Sequence, residues 1–252
     1  MASLSDDFRV IVPDLPGHGD SASLPPGADF RWLADRLAAL ILELQPQGLC
    51  LVGWSLGAMV AWDLLRRHPG IPVRGLVTID MVPRLLNDQD WPYGLRAGRD
   101  YHVFDRQIEL MRTNWPACVD LFVPRILAPG KTARRQQLIA RAKAIALGND
   151  PQSMAAVYQL MVEQDFRADL AGIRVPALVM AGAQSQLYRA AASEWIAAEI
   201  PQAQLRSFDG SGHAPQLEQP EEFNRALADF AVSLQAPMVP RPFGHPGAGT
   251  DH

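Results

Sequence analysis

The chain has 252 residues, 48% of them hydrophobic and 20% charged, with a formal net charge of −4 at pH 7. That length suits one sizeable α/β domain with an insertion, and the balance lacks the concentrated basic surface that a nucleic-acid partner requires. No apolar run is long enough to cross a bilayer, residues 1–10 lack the basic start and apolar stretch of a signal peptide, and two cysteines set no disulfide framework. Cys50 and Cys118 therefore read as free thiols, and a cytoplasmic location with no membrane partner is expected.

The first apolar element is residues 8–12, FRVIV, which predicts a strand. The breakers of residues 13–21, PDLPGHGDS, make the next segment a loop. Residues 30–44 place Leu33, Leu37, Leu40, Ile41 and Leu44 at helical spacing, with Asp29 as the expected N-cap. Residues 49–52 predict a buried strand, residues 53–57 a sharp turn and residues 58–67 a helix. Residues 73–79, VRGLVTI, form another β-branched run, ended by Asp80. Alternating strands and helices imply a mostly parallel central sheet with helices on its faces and ligands at the carboxyl ends of the strands.

The rhythm breaks after Asp80. Residues 101–114, 117–127, 131–147 and 152–162 all read as helices, so 83–172 is assigned to a helical lid. Its most basic stretch, 131–143, interleaves Arg134, Arg135 and Arg141 with Leu138, Ile139 and Ala142, the pattern of a helix with one solvated face. Strand character returns at 175–181, followed by a helix at 190–199, a strand at 204–208, the loop DGSGH and a closing helix at 221–234. Residues 1–82 and 173–235 thus make the α/β core. The proline- and glycine-rich residues 236–252 read as a disordered tail.

The most informative stretch is residues 49–59, LCLVGWSLGAM. Strand, G-x-S-x-G and helix together form the pattern of a nucleophile elbow. Ser55 at the tip of so tight a turn takes a strained backbone, which asks for small neighbours at Gly53 and Gly57. Its oxygen then stands at a helix N-terminus, where developing negative charge is stabilised. The competing role for Ser55 is an ordinary helix N-cap.

Set in order, FRVIVPDLPGHGDS, LVGWSLGAM, VPALVMAG and GSGHAPQLEQPEEF resemble the α/β-hydrolase superfamily over residues 8–234. The resemblance implies an α/β-hydrolase fold in which the insertion is a lid and His213, in the loop after the last strand, is the catalytic histidine. The other histidines fall in the loose tail (His245, His252), the first loop (His18), a helix end (His68) and the lid (His102). Family members usually place their acid in the loop after the strand at 175–181. Here that loop reads Gly182-Ala183-Gln184-Ser185-Gln186-Leu187-Tyr188, with no carboxylate. Asp80 closes the strand after the elbow unit, where certain dehalogenases and cofactor-free quinolone dioxygenases of this fold look similar. Asp80 is therefore the expected acid, against a turn or N-cap role, and Ser185 is expected to be uninvolved.

The family's oxyanion hole uses the N–H after the nucleophile, here Leu56, and a second from a His-Gly loop preceding the segment that matches FRVIV. Only seven residues precede Phe8, and none matches that loop. The expectation is a chain whose N-terminal strands are missing and whose natural product starts upstream. Trp54 beside the nucleophile, with Trp91 and Trp115 in the lid region, is expected to line an apolar site for a small-molecule acyl or aromatic substrate. No metal-ligand spacing appears, and no cofactor is expected. The reading is a serine hydrolase cleaving a carboxylic ester, thioester or lactone through an acyl-enzyme. The alternatives are a cofactor-free oxygenase using His213–Asp80 as base, or a vestigial hydrolase-fold binding protein.

Overall fold

The computed structural model describes residues 4–5 and 7–235, so the tail expected at 236–252 lies outside the described residues. Four strands form one parallel sheet in the order β1 (Leu49–Trp54), β2 (Val73–Ile79), β3 (Ala177–Gly182), β4 (Ala203–Phe208). β3 is buried throughout and β2 at every residue but Arg74, as their continuous apolar runs require of strands covered on two faces. On one face Leu51, Leu76 and Val179 pack with α1 (Phe30–Leu44), α2 (Leu56–Arg67) and α7 (Ala190–Glu199). On the other, Val77, Ile79, Leu178 and Met180 pack with Phe223 and Phe230 of α9 (Pro220–Ser233). The fold is the expected α/β one.

Register explains the location of the site. Trp54 lies opposite Ile79, Ile79 opposite Met180, and Gly182 opposite Phe208. In a parallel sheet this brings the residues after all four strands to one edge. Ser55, Asp80, the loop after Gly182 and the loop after Phe208 consequently meet there, although they are up to 158 positions apart in the chain.

The strand expected at residues 8–12 is not one. The segment pairs with no strand, and Val10, Ile11 and Val12 are 40%, 46% and 67% exposed. β-Branched residues favour a strand only where a neighbour offers a ladder and a surface to pack on, and none of the four strands lies beside this one. β1 is in turn an edge strand, with Val52 46% exposed.

Between β2 and β3 the chain forms α3 (Tyr101–Thr113), α4 (Trp115–Phe122), a 3₁₀ turn (Val123–Ile126), α5 (Ala133–Leu147) and α6 (Pro151–Val162). The helix expected over 117–127 tightens at Phe122, where Pro124 supplies no N–H. Val119, Val123, Ile126 and Leu127 cluster with Leu138 and Ile139, and the same cluster takes in Ala214, the neighbour of His213. Leu85, Leu86 and Trp91, at the start of the segment assigned by sequence to the lid, belong to the main core cluster, as do Phe104 of α3 and Val162 of α6. A short helix that the sequence did not suggest, α8 (Pro215–Glu218), follows His213 directly.

Candidate active site

Ser55 sits between β1 and α2 at φ 53°, ψ −122°, its N–H donating to the Ile79 carbonyl at 3.1 Å. A non-glycine residue at positive φ costs about 1–3 kcal/mol and persists only where surroundings impose it. Its hydroxyl caps no amide of α2, so it is not spent as a helix cap. Leu56 opens α2, which makes its N–H one of the helix's free first-turn donors. The two elbow glycines differ. A Cβ on Gly53 would lie 2.4 Å from the Gly57 carbonyl oxygen, whereas one on Gly57 would meet nothing within 4 Å.

Asp80, at the end of β2, also has positive φ (43°) and is 3% exposed. Its Oδ2 accepts from His213 Nδ1 at 2.7 Å, and both side chains are 2% exposed. A carboxylate acts only as acceptor here, so Nδ1 carries the hydrogen and Nε2 is left as the basic nitrogen. The alternatives are placed elsewhere: Asp209 is exposed, and Asp88 pairs with Arg84 at the surface. The expectation that Ser185 is uninvolved is overturned. Its hydroxyl donates to the same Asp80 Oδ2 at 2.7 Å, fully buried.

Three further side chains hold His213. Trp54 Nε1 donates to the His213 carbonyl at 2.7 Å and its ring stands 5.3 Å from the imidazole, which fixes the histidine beside the residue preceding Ser55. The Tyr188 ring also packs against the imidazole, 5.7 Å between rings, and its hydroxyl donates to Met81 Sδ. Burial first, and then the Asp80 charge, hold that phenol well above its usual range, so it stays protonated. Glu218 accepts from Gly212 N–H at 2.7 Å and from Ala128 N–H at 2.7 Å, tying the histidine loop to the end of the insertion. Burial raises its carboxyl against the opposing pull of those two amides. Gly182 allows the approach of the loops, because a Cβ there would lie 1.7 Å from the Gly212 carbonyl oxygen.

Of the tryptophans expected to line a site, Trp54 alone is at the elbow. Trp91 is 1% exposed, donates to the Arg84 carbonyl and packs edge-on against Trp195. Trp115 bonds the Ala146 carbonyl and packs α4 onto α5. Both are accounted for by packing. Cavities of about 450 and 470 Å³ lie between α3 and α6 and beside α1, and Ser55 lines neither. Among the described residues no cluster of His, Cys, Asp and Glu could hold a metal, and no helix is long and apolar enough to cross a membrane. Ser185, Tyr188 and Glu218 were missed by sequence reasoning. Only Ser185 had a signal, since it stands in the loop where the resembled pattern asks for a carboxylate.

A parallel sheet that presents a strained serine, with a buried histidine–aspartate pair at the same edge, defines the class of hydrolase-fold enzymes. The sequence model of the "Alpha/beta hydrolase family" matches residues 1–226, and the chain belongs to that family. Among its relatives, a pimeloyl-[acyl-carrier protein] methyl ester esterase of Aromatoleum aromaticum is 36% identical over 224 residues, covering 85% of this chain and 84% of the relative. One of the same name from Chromobacterium violaceum is 31% identical over 229 residues, covering 90% and 85%. A solved thermophilic esterase of Thermogutta terrifontis superposes with a TM-score of 0.81 at 28% identity, covering 93% of this chain and 84% of the other.

Proposed function

We propose that the protein is a serine esterase acting on a carboxylic ester, with Ser55 as nucleophile, His213 as general base and acid, and Asp80 as orienting carboxylate. The observation that carries this is the 2.7 Å bond from His213 Nδ1 to Asp80 Oδ2 inside a buried site. It fixes one imidazole tautomer and offsets the charge that forms when Nε2 takes a proton. Ser55 Oγ attacks the ester carbonyl as its proton passes to His213 Nε2, and the developing oxyanion meets the Leu56 N–H. His213 then returns the proton to the departing alkoxide, leaving an acyl-Ser55 ester. A water, deprotonated by His213, hydrolyses that ester and restores the serine.

Both named relatives act on a methyl ester borne by an acyl carrier protein, which supports the same substrate class here. Lys131, Arg134 and Arg141, exposed at the start and along the outer side of α5, provide positive charge for an acidic carrier. A cytoplasmic location accords with such a substrate.

The test is hydrolysis of a methyl ester, free and carrier-borne, by wild type, Ser55→Ala and Asp80→Asn. Ser55→Ala should lower turnover by several powers of ten with the fold intact, and Asp80→Asn should lower it by about 10⁴ by favouring the wrong tautomer. Turnover unchanged in Ser55→Ala would refute the serine mechanism. Equal kcat/KM for free and carrier-borne ester would remove the carrier from the reading.

A further inference from the structure

We infer that Ser185 is a positioning residue that fixes the Asp80 carboxylate for His213, an inference that rests on the catalytic reading above and deepens it. The end of an aspartate is weakly held by its own torsion, which is broad and two-fold. A single bond to a histidine that must itself be oriented would leave the pair free to turn together. Here Asp80 Oδ2 accepts two hydrogens at 2.7 Å, one from His213 Nδ1 and one from Ser185 Oγ. The donors come from different loops, one after β3 and one after β4, while Asp80 itself follows β2. One oxygen therefore joins the ends of three neighbouring strands.

The direction of the serine bond is set by its surroundings. The Leu187 and Tyr188 amides donate to Ser185 Oγ at 3.4 and 3.3 Å, occupying its lone pairs, and its one hydrogen goes to the carboxylate. The same Tyr188 packs its ring on His213 and bonds Met81, the residue after Asp80. A closed circuit results, from Asp80 through Ser185 and Tyr188 to His213 and back to Asp80. Within it, Ser185 is the link between the tyrosine's backbone and the carboxylate. The charged groups that face this circuit are Glu218, through the Gly212 amide, and Arg135 beyond it, which bonds the Ala128 and Pro124 carbonyls. The bonds that Asp80 Oδ2 accepts come from Ser185 and His213, not from Arg135.

The experiment compares wild type with Ser185→Ala, Ser185→Thr and Ser185→Cys. It measures kcat and KM on a short ester and, independently of activity, the Nδ1 proton resonance of His213 in ¹⁵N-histidine-labelled protein. In Ser185→Ala, kcat should fall ten- to a hundredfold, the loss expected for one charge-assisted hydrogen bond, with KM within about twofold. The low-field Nδ1 resonance should move. Ser185→Thr keeps the hydroxyl and should restore both. Ser185→Cys keeps the shape with a weaker donor and should lie between them, so it also serves if the alanine variant fails to fold.

An unmoved Nδ1 resonance in the folded alanine or cysteine variant overturns the inference, whatever happens to kcat. So does a well-folded threonine variant that restores neither readout. If wild type hydrolyses no ester and a fluorophosphonate leaves Ser55 unlabelled, the proposed function fails. The resonance shift would still establish what Ser185 does to the Asp80–His213 pair.

Discussion

At the residue scale, Ser55 and Asp80 are two of only three non-glycine residues with positive φ among those described, and both stand at the same sheet edge. Strain at one residue needs no functional explanation, but two strained residues at the ends of neighbouring strands, one of them bonded to His213, accord with the catalytic roles proposed for them. The elbow imposes a sharp steric demand on one side only. Gly53→Ala would drive a methyl into the Gly57 carbonyl and should lower the melting temperature steeply and abolish activity. Gly57→Ala meets open space in the first turn of α2 and should retain the wild-type melting temperature within a few degrees, because alanine favours a helix over glycine. Thermal unfolding of the two variants, followed by circular dichroism, checks the contrast. A Gly57→Ala protein as damaged as Gly53→Ala would mean that something covers this position in the working enzyme.

At the element scale, the insertion is fastened to the histidine loop through residues 127–128. Glu218 accepts the Ala128 amide while also accepting Gly212, and Gln186 donates to the Leu127 carbonyl at 2.8 Å. One fastening comes from α8, next to His213, and the other from the loop after β3, so the position of the insertion and the position of His213 are coupled. Glu218→Gln leaves one oxygen for two amides and should cost about 1–2 kcal/mol through the unpaired donor. The pH dependence has a definite sign. Burial raises the folded carboxyl above its ordinary value of 4.5, so between those two values the native state holds a proton that the unfolded chain has released. The contribution of Glu218 to stability therefore declines as pH rises through that interval, and Glu218→Gln lacks that contribution. Urea midpoints measured from pH 4 to 8 on both proteins test this; parallel curves would show that Glu218 does not titrate as its burial requires.

At the scale of the whole molecule, the sheet is unevenly covered. β3 is buried along its full length and β2 nearly so, whereas β1 alternates buried and exposed residues along an open edge. Native-state hydrogen exchange should therefore be slowest in β2 and β3 and faster in β1, with residues 9–12 exchanging fastest because they belong to no ladder. Protection of residues 9–12 equal to that of β2 would contradict this gradient.

The same contrast separates what the sequence determined from what the tertiary structure decided. Helix α1 is legible because its period, its Asp29 cap and its length are local, and its bounds fall where the pattern ends. The elbow is legible for a related reason: a buried strand, a glycine turn and a helix are consecutive in the chain, so Ser55 needs no distant information to be found. Asp80 and His213 each mark the end of a local element, but their 2.7 Å bond depends on strand order and register, which bring residues 133 positions apart together. Residues 8–12 show the opposite outcome, since their strand propensity is local while a strand exists only with a partner beside it. Ser185 stands in the loop where the resembled pattern asks for a carboxylate, but nothing local says what it bonds, and Tyr188 and Glu218 have no local signature at all. A serine three positions past a strand looks like any loop serine until the neighbouring strand places a buried carboxylate oxygen 2.7 Å from its hydroxyl. Periodicity and capping are properties of consecutive residues, so the sequence alone establishes them; a hydrogen bond between strand ends is a property of the sheet, and only the assembled sheet decides it.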